Sequence, residues 1–151
     1  MSDKVKTCFW FDHQGLEAAE FYVSIIPGSS LGRVSHYADG PDKGKVLTVE
    51  FSLAGTSYMA LNGGPHFTLS EAASISVTTE DQAETDRLWA ALLQGGVESQ
   101  CGWLKDRFGL SWQIVPQRAI ELLNGPDAAK VWPVLMNMVK IEVAELEAAA
   151  A

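Results

Sequence analysis

The sequence contains few cysteines, no long hydrophobic run and no apolar leader. Cys8 and Cys101 are too few for a disulfide framework, and we expect both thiols to be reduced. No apolar stretch approaches the roughly 18 residues that a membrane-spanning helix needs. The first residues, MSDKVKT, lack the apolar segment of a signal peptide. These absences predict a cytoplasmic protein without a membrane partner.

Positive charge is also scarce. The chain has 11 Lys and Arg residues against 19 Asp and Glu residues, for a formal net charge of −8. Nucleic-acid binding draws much of its affinity from clustered Lys and Arg, so we expect no nucleic-acid partner. The 151 residues, of which 47% are hydrophobic, suffice for one sizeable core. The composition therefore predicts a single domain that spans residues 1–151.

The first half of the chain shows the patterns of strands and helices in the order β, α, β, β, β. Apolar residues at helical spacing occupy residues 16–26 and end at Pro27 and Gly28. Strand-like segments occupy residues 5–11, 30–37, 46–53 and 56–61. In residues 46–53 apolar and polar side chains alternate, which is the period expected of a sheet with two different faces.

The same order begins again after a connector at residues 62–71. A strand is predicted at residues 73–78, and strand-like residues follow at 97–104 and, after a tight turn, at 110–115. Between them lies a predicted helix that ends at Gly95 and Gly96. Thr79 and Gln82 have the spacing of a capping box at its start. The second half is thus predicted to be another βαβββ unit.

Internal similarity supports a duplication. The segment GTSYMAL at residues 55–61 aligns with GLSWQIV at residues 109–115, and FYVSIIPG from Phe21 aligns with LWAALLQG from Leu88. The sequence therefore predicts an α+β fold of two diverged modules, at about residues 5–62 and 72–116.

A helical segment is predicted at residues 117–151. Pro133 is expected to kink or restart one of its helices, because proline breaks the hydrogen-bond ladder. Val131, Leu135 and Met138 form an apolar stripe that is predicted to cap the sheet. We expect these helices to contribute packing and not chemistry.

Three stretches carry a family resemblance: FYVSIIPGS from Phe21, ALNGGPHF from Ala60 and CGWLKDRFGLSWQIVP from Cys101. Together they resemble PhnB-like proteins of the vicinal oxygen chelate superfamily, which includes glyoxalases and bleomycin-resistance proteins. The resemblance covers residues 5–116. It implies paired βαβββ modules that form a curved mixed sheet around a cavity, usually in a homodimer.

The resemblance also implies where a metal would be bound. Superfamily members that perform chemistry place His or Glu on the first and last strands of each module, around one divalent ion. On the last strands of the two modules, the corresponding positions are Gln113 and Met59. On the first strands, they lie near Val5 or Thr7 and near Ala72 or Ser74. None of these is a strong metal ligand. We therefore expect neither a catalytic metal nor another cofactor.

PhnB-like proteins are often labelled 3-demethylubiquinone-9 3-methyltransferases, an activity that requires S-adenosylmethionine. The usual methyltransferase fold binds this cofactor with a glycine-rich turn after a strand. No G-x-G or comparable run occurs in the sequence. We therefore expect no methyltransferase activity.

Three side chains are candidates for a general base. Glu50 would be a buried carboxylate if its strand face lines a cavity, and His66 lies beside Asn62 in the connector. Imidazole suits proton transfer near neutral pH. His36 is a third candidate, although for isolated histidines such as His36 and His66 a surface or hydrogen-bonded role is favoured.

Four further residues are predicted to bind a ligand: Trp10, Asn62, Trp103 and Gln113. Small-molecule pockets combine aromatic rings with a few polar groups, although strand tryptophans serve equally well in a core. The sequence thus predicts binding of a small organic molecule in the cavity of the sheet, without a catalytic metal. The alternative is a metal-independent enzyme that acts on a small metabolite.

Overall fold

The computed structural model describes residues 3–151. The chain divides into two compact units after Leu69, and each unit contains one βαβββ module. That the two units form a single domain stays a prediction. No helix within residues 3–151 is long and apolar enough to cross a membrane.

The first module forms a four-stranded mixed sheet with one helix. Its strands lie in the order β1-β4-β3-β2, with β1 parallel to β4 and the other pairs antiparallel. The elements are β1 Thr7–Phe11, α1 Gly15–Ile25, β2 Ser30–His36, β3 Val46–Leu53 and β4 Thr56–Asn62. The sequence predicted all five elements. The predicted and observed bounds differ most for β1, which begins two residues after the predicted start at Val5.

Buried and more exposed side chains alternate along the strands, and this gives the sheet two different faces. Phe9 and Phe51 are buried on the face that α1 covers, where the Tyr22 ring lies 6.3 Å from the Phe51 ring. Successive side chains of a strand point to opposite faces, so Trp10 and Glu50 lie on the other side. We call the side of each sheet that faces away from its module's helix the open face.

The second module repeats this arrangement. Its strand order is β5-β8-β7-β6, with β5 parallel to β8. The elements are β5 Ser74–Thr79, α2 Gln82–Leu93, β6 Val97–Glu98, β7 Trp103–Lys105 and β8 Ser111–Pro116. The strand-like residues 97–104 are divided into two strands, and the predicted α+β fold of two βαβββ modules is confirmed.

Two glycines mark the same place in both modules. Gly55 and Gly109 precede the last strands and have φ angles of 93° and 92°. This left-handed backbone is accessible to glycine without a steric penalty. The alignment of residues 55–61 with residues 109–115 therefore describes a shared backbone conformation as well as a shared pattern of residues.

The predicted capping box of α2 was wrong. Asp81 is the N-cap, and its side chain accepts a hydrogen bond from the Glu84 N–H at 2.9 Å. Thr79 is the last residue of β5, and its buried hydroxyl lies 2.6 Å from the Thr85 hydroxyl. Because the strand extends one residue further than expected, Thr79 is turned into the interior and cannot cap the helix.

The C-terminal segment forms α3 Gln117–Leu123, α4 Ala128–Leu135 and α5 Val143–Ala150. Pro133 lies inside α4, which ends two residues later. The apolar stripe of Val131, Leu135 and Met138 is buried, mainly against other residues of the C-terminal segment. Together they form one buried cluster, and Val115 of β8 packs against it. The buried cluster contains Ala119, Leu122, Val131, Leu135, Met138, Ile141 and Leu146. The stripe thus builds a small helical core of its own.

One glutamine side chain connects the C-terminal segment to the second module by two hydrogen bonds. The Gln82 amide donates to the Ile141 carbonyl at 3.0 Å and accepts from the Val143 N–H at 2.8 Å. Beside it, the Lys140 ammonium lies 2.6 Å from the Asp86 carboxylate. These contacts join residues about 60 positions apart in sequence.

The Asp86–Lys140 pair predicts a pH-dependent contribution to stability. The hydrogen bond from Lys140 lowers the pKa of Asp86. A carboxyl group whose pKa is lower when folded stabilises the fold above its unfolded pKa of about 4, and this effect is lost as the pH falls through the folded pKa. We expect Asp86→Asn to lower the free energy of unfolding at pH 7 by up to about 1 kcal/mol, because the pair is partly exposed.

Urea unfolding at pH 7 and at about pH 3 measures this effect. The difference between Asp86→Asn and wild type should shrink at the lower pH, which lies below the pKa of Asp in the unfolded chain. In a Lys140→Met background the same substitution should have a smaller effect at pH 7, because only the hydrogen bond from the Gln82 amide to Asp86 remains. A difference that is equal at both pH values would contradict the pairing.

Candidate functional site

The open face of the second sheet carries a cavity of about 250 Å³. Trp103 and Lys105 of β7 line it together with Ser111 of β8, which pairs with Lys105. Leu104 and Trp112 pair on the opposite face and are buried. The predicted ligand-binding residue Trp103 therefore faces a cavity, beside a lysine and a serine.

Ser111 has an unusual environment. The residue is only 1% exposed, and its hydroxyl is the one buried side-chain oxygen or nitrogen in residues 3–151 without a hydrogen-bond partner. Buried polar groups are nearly always hydrogen-bonded, because an unsatisfied group retains the cost of losing water. A polar atom of a ligand in the cavity would satisfy this hydroxyl.

Lys105 and Glu71 form an ion pair at the same cavity. The Lys105 ammonium lies 2.5 Å from the Glu71 carboxylate, and the two side chains are 36% and 66% exposed. The hydrogen bond from Lys105 lowers the pKa of Glu71. The cavity thus contains a cation whose present partner is a largely exposed carboxylate of the same chain.

Gln113 lies next to this cavity on the open face. It pairs with Trp103 of β7 and Ser76 of β5, and its amide nitrogen donates to the Ser74 hydroxyl at 2.9 Å. Its predicted role in ligand binding stays a prediction. In this structure the amide nitrogen already has a partner within the sheet.

Glu50 lies on the open face of the first sheet, beside a cavity of about 470 Å³. Its carboxylate oxygens lie 3.4 Å from the Lys6 ammonium and 3.7 Å from the Arg33 guanidinium, and its side chain is 16% exposed. This arrangement makes Glu50 the partner of two cations. A free general base would need an oxygen available to a substrate, so the geometry does not favour that role.

The positions that the superfamily uses for metal binding can now be located. Met59 lies between Cys8 and Glu50 on the first sheet. Thr7 shares the helix-covered side with Phe9, whereas Cys8 and Trp10 of β1 lie on the open face. Within residues 3–151, no three His, Cys, Asp or Glu residues are grouped so that they could hold a metal ion.

Both cysteines are free. Partial desolvation raises the pKa of the Cys8 thiol although the residue as a whole is exposed. A raised pKa keeps the thiol protonated at neutral pH, and the protonated form is a poor nucleophile and a poor metal ligand.

The largest cavity, of about 1000 Å³, lies where β1 and β4 end. Because these strands are parallel, the loops that follow them meet at one edge of the sheet. All three histidines of the chain line this cavity, together with four carboxylates: Asp12, His13, Glu17, Glu20, His36, Asp42 and His66. The candidate base His66 is therefore among other titratable groups.

Asn62 lines the same cavity, but its polar atoms hold the module together. Its side-chain oxygen accepts from the Gly15 N–H at 2.7 Å, and its amide nitrogen donates to the Val46 carbonyl at 3.2 Å. The Tyr37 hydroxyl donates to its backbone carbonyl. The asparagine joins the start of α1 to β3, and a ligand-binding role stays a prediction.

Trp10 packs against the connector that follows β4. Its indole N–H donates to the Gly64 carbonyl at 2.9 Å, and its ring meets the Phe67 ring edge to face at 4.9 Å. A methyl group on Gly63 would lie 2.2 Å from the Trp10 ring, so only glycine fits there. Within the first unit, Trp10 is not among the residues that line the cavity beside Glu50.

Comparison with known proteins identifies the family. A family model described as 3-demethylubiquinone-9 3-methyltransferase matches residues 3–115. The chain belongs to this family. A PhnB protein from Bacillus cereus is 30% identical, with a TM-score of 0.70, over 76% of this chain and 99% of that chain. No curated protein is significantly similar in sequence.

More distant structures share the fold of this PhnB-like family. Protein PA1353 from Pseudomonas aeruginosa is 23% identical over 76% of this chain and 98% of its own, with a TM-score of 0.63. A glyoxylase/bleomycin resistance protein/dioxygenase domain from a Frankia species is 14% identical over 77% of this chain and 92% of its own, with a TM-score of 0.50. At these identities the similarity concerns the fold alone.

The family match ends at residue 115, directly before the C-terminal helices. The cavity of Trp103 and Ser111 lies wholly within the matched part. Ser111 was not predicted as a site residue from the sequence, although its spacing from Gln113 indicates which face of the strand it occupies. It lies two residues before Gln113 in a strand and therefore shares the face on which Gln113 was placed.

Proposed function

We propose that this PhnB-like protein binds a small organic molecule in the cavity of about 250 Å³ on the open face of the second sheet, without a catalytic metal. The buried, unpartnered hydroxyl of Ser111 carries the proposal. Beside it, Trp103 offers an aromatic surface. An apolar surface with a few convergent polar groups is typical of small-molecule sites.

The size of the cavity restricts the ligand. A volume of about 250 Å³ lies just below the roughly 300 to 1,000 Å³ of pockets that bind drug-sized ligands. The ligand is therefore about as large as one substituted ring. The family description names a methyltransferase, but S-adenosylmethionine is much larger than this cavity and the sequence has no glycine-rich turn to bind it.

The test is a screen of single-ring compounds by thermal shift, followed by NMR titration of the indole N–H signals. The chain has 5 tryptophans, and Trp103→Phe assigns the signal of interest. We expect a binder to move the Trp103 signal. Ser111→Ala should weaken binding about tenfold, because one hydrogen bond of about 1.4 kcal/mol is lost.

Ser111→Ala should also raise the free energy of unfolding of the free protein by about 1 kcal/mol, since it removes an unsatisfied buried hydroxyl. The control is Ser76→Ala, because Ser76 is an exposed serine on the same face outside this cavity. This substitution should change neither the affinity for the ligand nor the free energy of unfolding. Compounds that bind without moving the Trp103 signal, or stabilisation by S-adenosylmethionine, would contradict the proposal.

One observation favours a metal-independent enzyme as the second candidate. His66 lines the largest cavity together with His13 and His36, and such a cavity could hold a substrate next to a base. A metabolite that wild-type protein consumes and a His66→Asn variant does not would favour this alternative.

A further inference from the structure

The ligand of the Trp103 cavity can be specified further from its charges. We propose that the cavity binds a small aromatic carboxylate, whose carboxyl group replaces Glu71 as the partner of Lys105. This inference rests on the proposed function, because it assumes that the cavity of Trp103 and Ser111 is the binding site.

Among residues 3–151, Lys105 is the only basic residue that lines the cavity. Two acidic residues, Glu71 and Glu98, are also in the lining. Glu98 pairs with Leu104 across the strands, and directly opposed residues point to the same face. Since Leu104 is buried on the helix-covered side, the Glu98 side chain points away from the open face.

Once Glu71 moves away, Lys105 is therefore the one charged side chain directed at the cavity. Its ammonium favours an anionic ligand, and a carboxylate reproduces the group that it binds in this structure. A phosphate is larger and carries more charge than a single lysine neutralises.

Glu71 is well placed to be displaced. Its side chain is 66% exposed, and it precedes β5 outside any helix or strand. Exposed ion pairs are weak because both partners are well solvated, so releasing Glu71 into water costs little. As a tethered carboxylate it competes with any free carboxylate at an effective concentration in the millimolar range.

The other lining residues describe the body of the ligand. Trp103 and Val97 present apolar surface, and Val97 is 68% exposed. Ser111 places one unsatisfied hydroxyl at the base of this surface. A ring that stacks on Trp103, with its carboxylate on Lys105, uses all of these groups.

The experiment compares carboxylates with their uncharged amides. Benzoate and phenylacetate are titrated against benzamide and phenylacetamide, with the Trp103 indole signal as the readout. In wild-type protein we expect each carboxylate to bind about tenfold more tightly than its amide. Glu71→Gln should tighten carboxylate binding about three- to fivefold and leave amide binding unchanged, because it removes the internal competitor.

Lys105→Met should abolish the preference for carboxylates. Glu98→Gln is the matched control for Glu71→Gln: it removes the same charge from the same lining but from the other face, and it should leave both affinities unchanged. If Glu71→Gln and Glu98→Gln change the affinity for carboxylates equally, the change comes from the overall charge of the protein. That result would overturn the displacement of Glu71 by the ligand.

The failure of this inference is distinguishable from failure of the proposed function. Amides that move the Trp103 signal as readily as carboxylates, with no effect of Lys105→Met, overturn the carboxylate class and leave small-molecule binding intact. If neither carboxylates nor amides bind, the carboxylate inference is also overturned. The wider screen with Ser111→Ala then decides the proposed function separately.

Discussion

Replacement of Asp106 by alanine is expected to lower the free energy of unfolding by about 3 to 4 kcal/mol. Asp106 is only 3% exposed. Its carboxylate accepts hydrogen bonds from the Phe108 N–H at 2.8 Å, the Leu110 N–H at 3.1 Å and the Trp112 indole N–H at 2.8 Å. Alanine removes both acceptor oxygens and with them all three hydrogen bonds. Trp112 and Leu110 are buried, so water cannot readily replace the carboxylate.

Urea unfolding of wild type, Asp106→Ala and Asp106→Asn measures the effect. Asparagine retains one oxygen for the backbone donors, but its amide nitrogen would face the Trp112 N–H, so we expect an intermediate loss. Asp127→Ala is the control, because the side chain of this aspartate is 41% exposed, forms an ion pair with Lys130 and makes no capping hydrogen bond. It should change stability by less than about 0.5 kcal/mol. A similar loss in Asp106→Ala and Asp127→Ala would contradict the structural role of Asp106.

This carboxylate also matters for the proposed site. Asp106 is in the turn between β7 and β8, the two strands that carry Trp103, Lys105 and Ser111. The three hydrogen bonds set the geometry of that turn. Asp106→Asn should therefore weaken ligand binding at the Trp103 cavity even under conditions in which the variant stays folded.

Gly102→Ala is expected to have the second largest effect, about 3 kcal/mol. Gly102 has a φ of 86°, and a methyl group there would lie 2.8 Å from the Ile141 side chain and 2.9 Å from the Ile114 carbonyl oxygen. The left-handed conformation costs about 1 to 2 kcal/mol for other residues, and overpacking costs roughly as much again. The Gly102 N–H also donates to the Val139 carbonyl at 2.7 Å.

Gly109→Ala separates the two causes. Gly109 has a φ of 92° and no atom within 4 Å of the position of a methyl group, so its substitution produces only the backbone penalty of about 1 to 2 kcal/mol. The additional loss in Gly102→Ala should come with faster proteolysis after residue 117, because the C-terminal segment loses its contact with the sheet. Equal losses in the two variants would show that the Ile141 contact contributes nothing.

The order of elements was predictable because its signals are local. Apolar alternation marked β3 over Val46–Leu53 to the residue, and the repeated glycines marked the last strand of each module. The start of α2 was not predictable in the same way. Thr79 and Asp81 are both suitable caps, and the length of β5, which depends on its pairing with β8, decides between them.

The candidate site was predictable only in part. Trp103 was placed near a cavity because large aromatic residues commonly line pockets. Trp10 and Asn62 have equally suitable side chains, but their polar atoms bind Gly64 and Gly15, which come from distant parts of the chain. His13 was overlooked because it lines the same cavity as His66 only through the parallel pairing of β1 with β4.

By itself, the sequence determined the two βαβββ modules, the family and the faces of the strands, because periods of 2 and 3.6 residues depend on neighbours in the chain. The tertiary structure decided which polar groups remain available. Glu50 acquired two cationic partners, Gln113 acquired Ser74, and Ser111 acquired none. Hydrogen-bond partners arrive from other strands and loops, so the unpartnered hydroxyl on which the proposed function rests exists only in the folded chain.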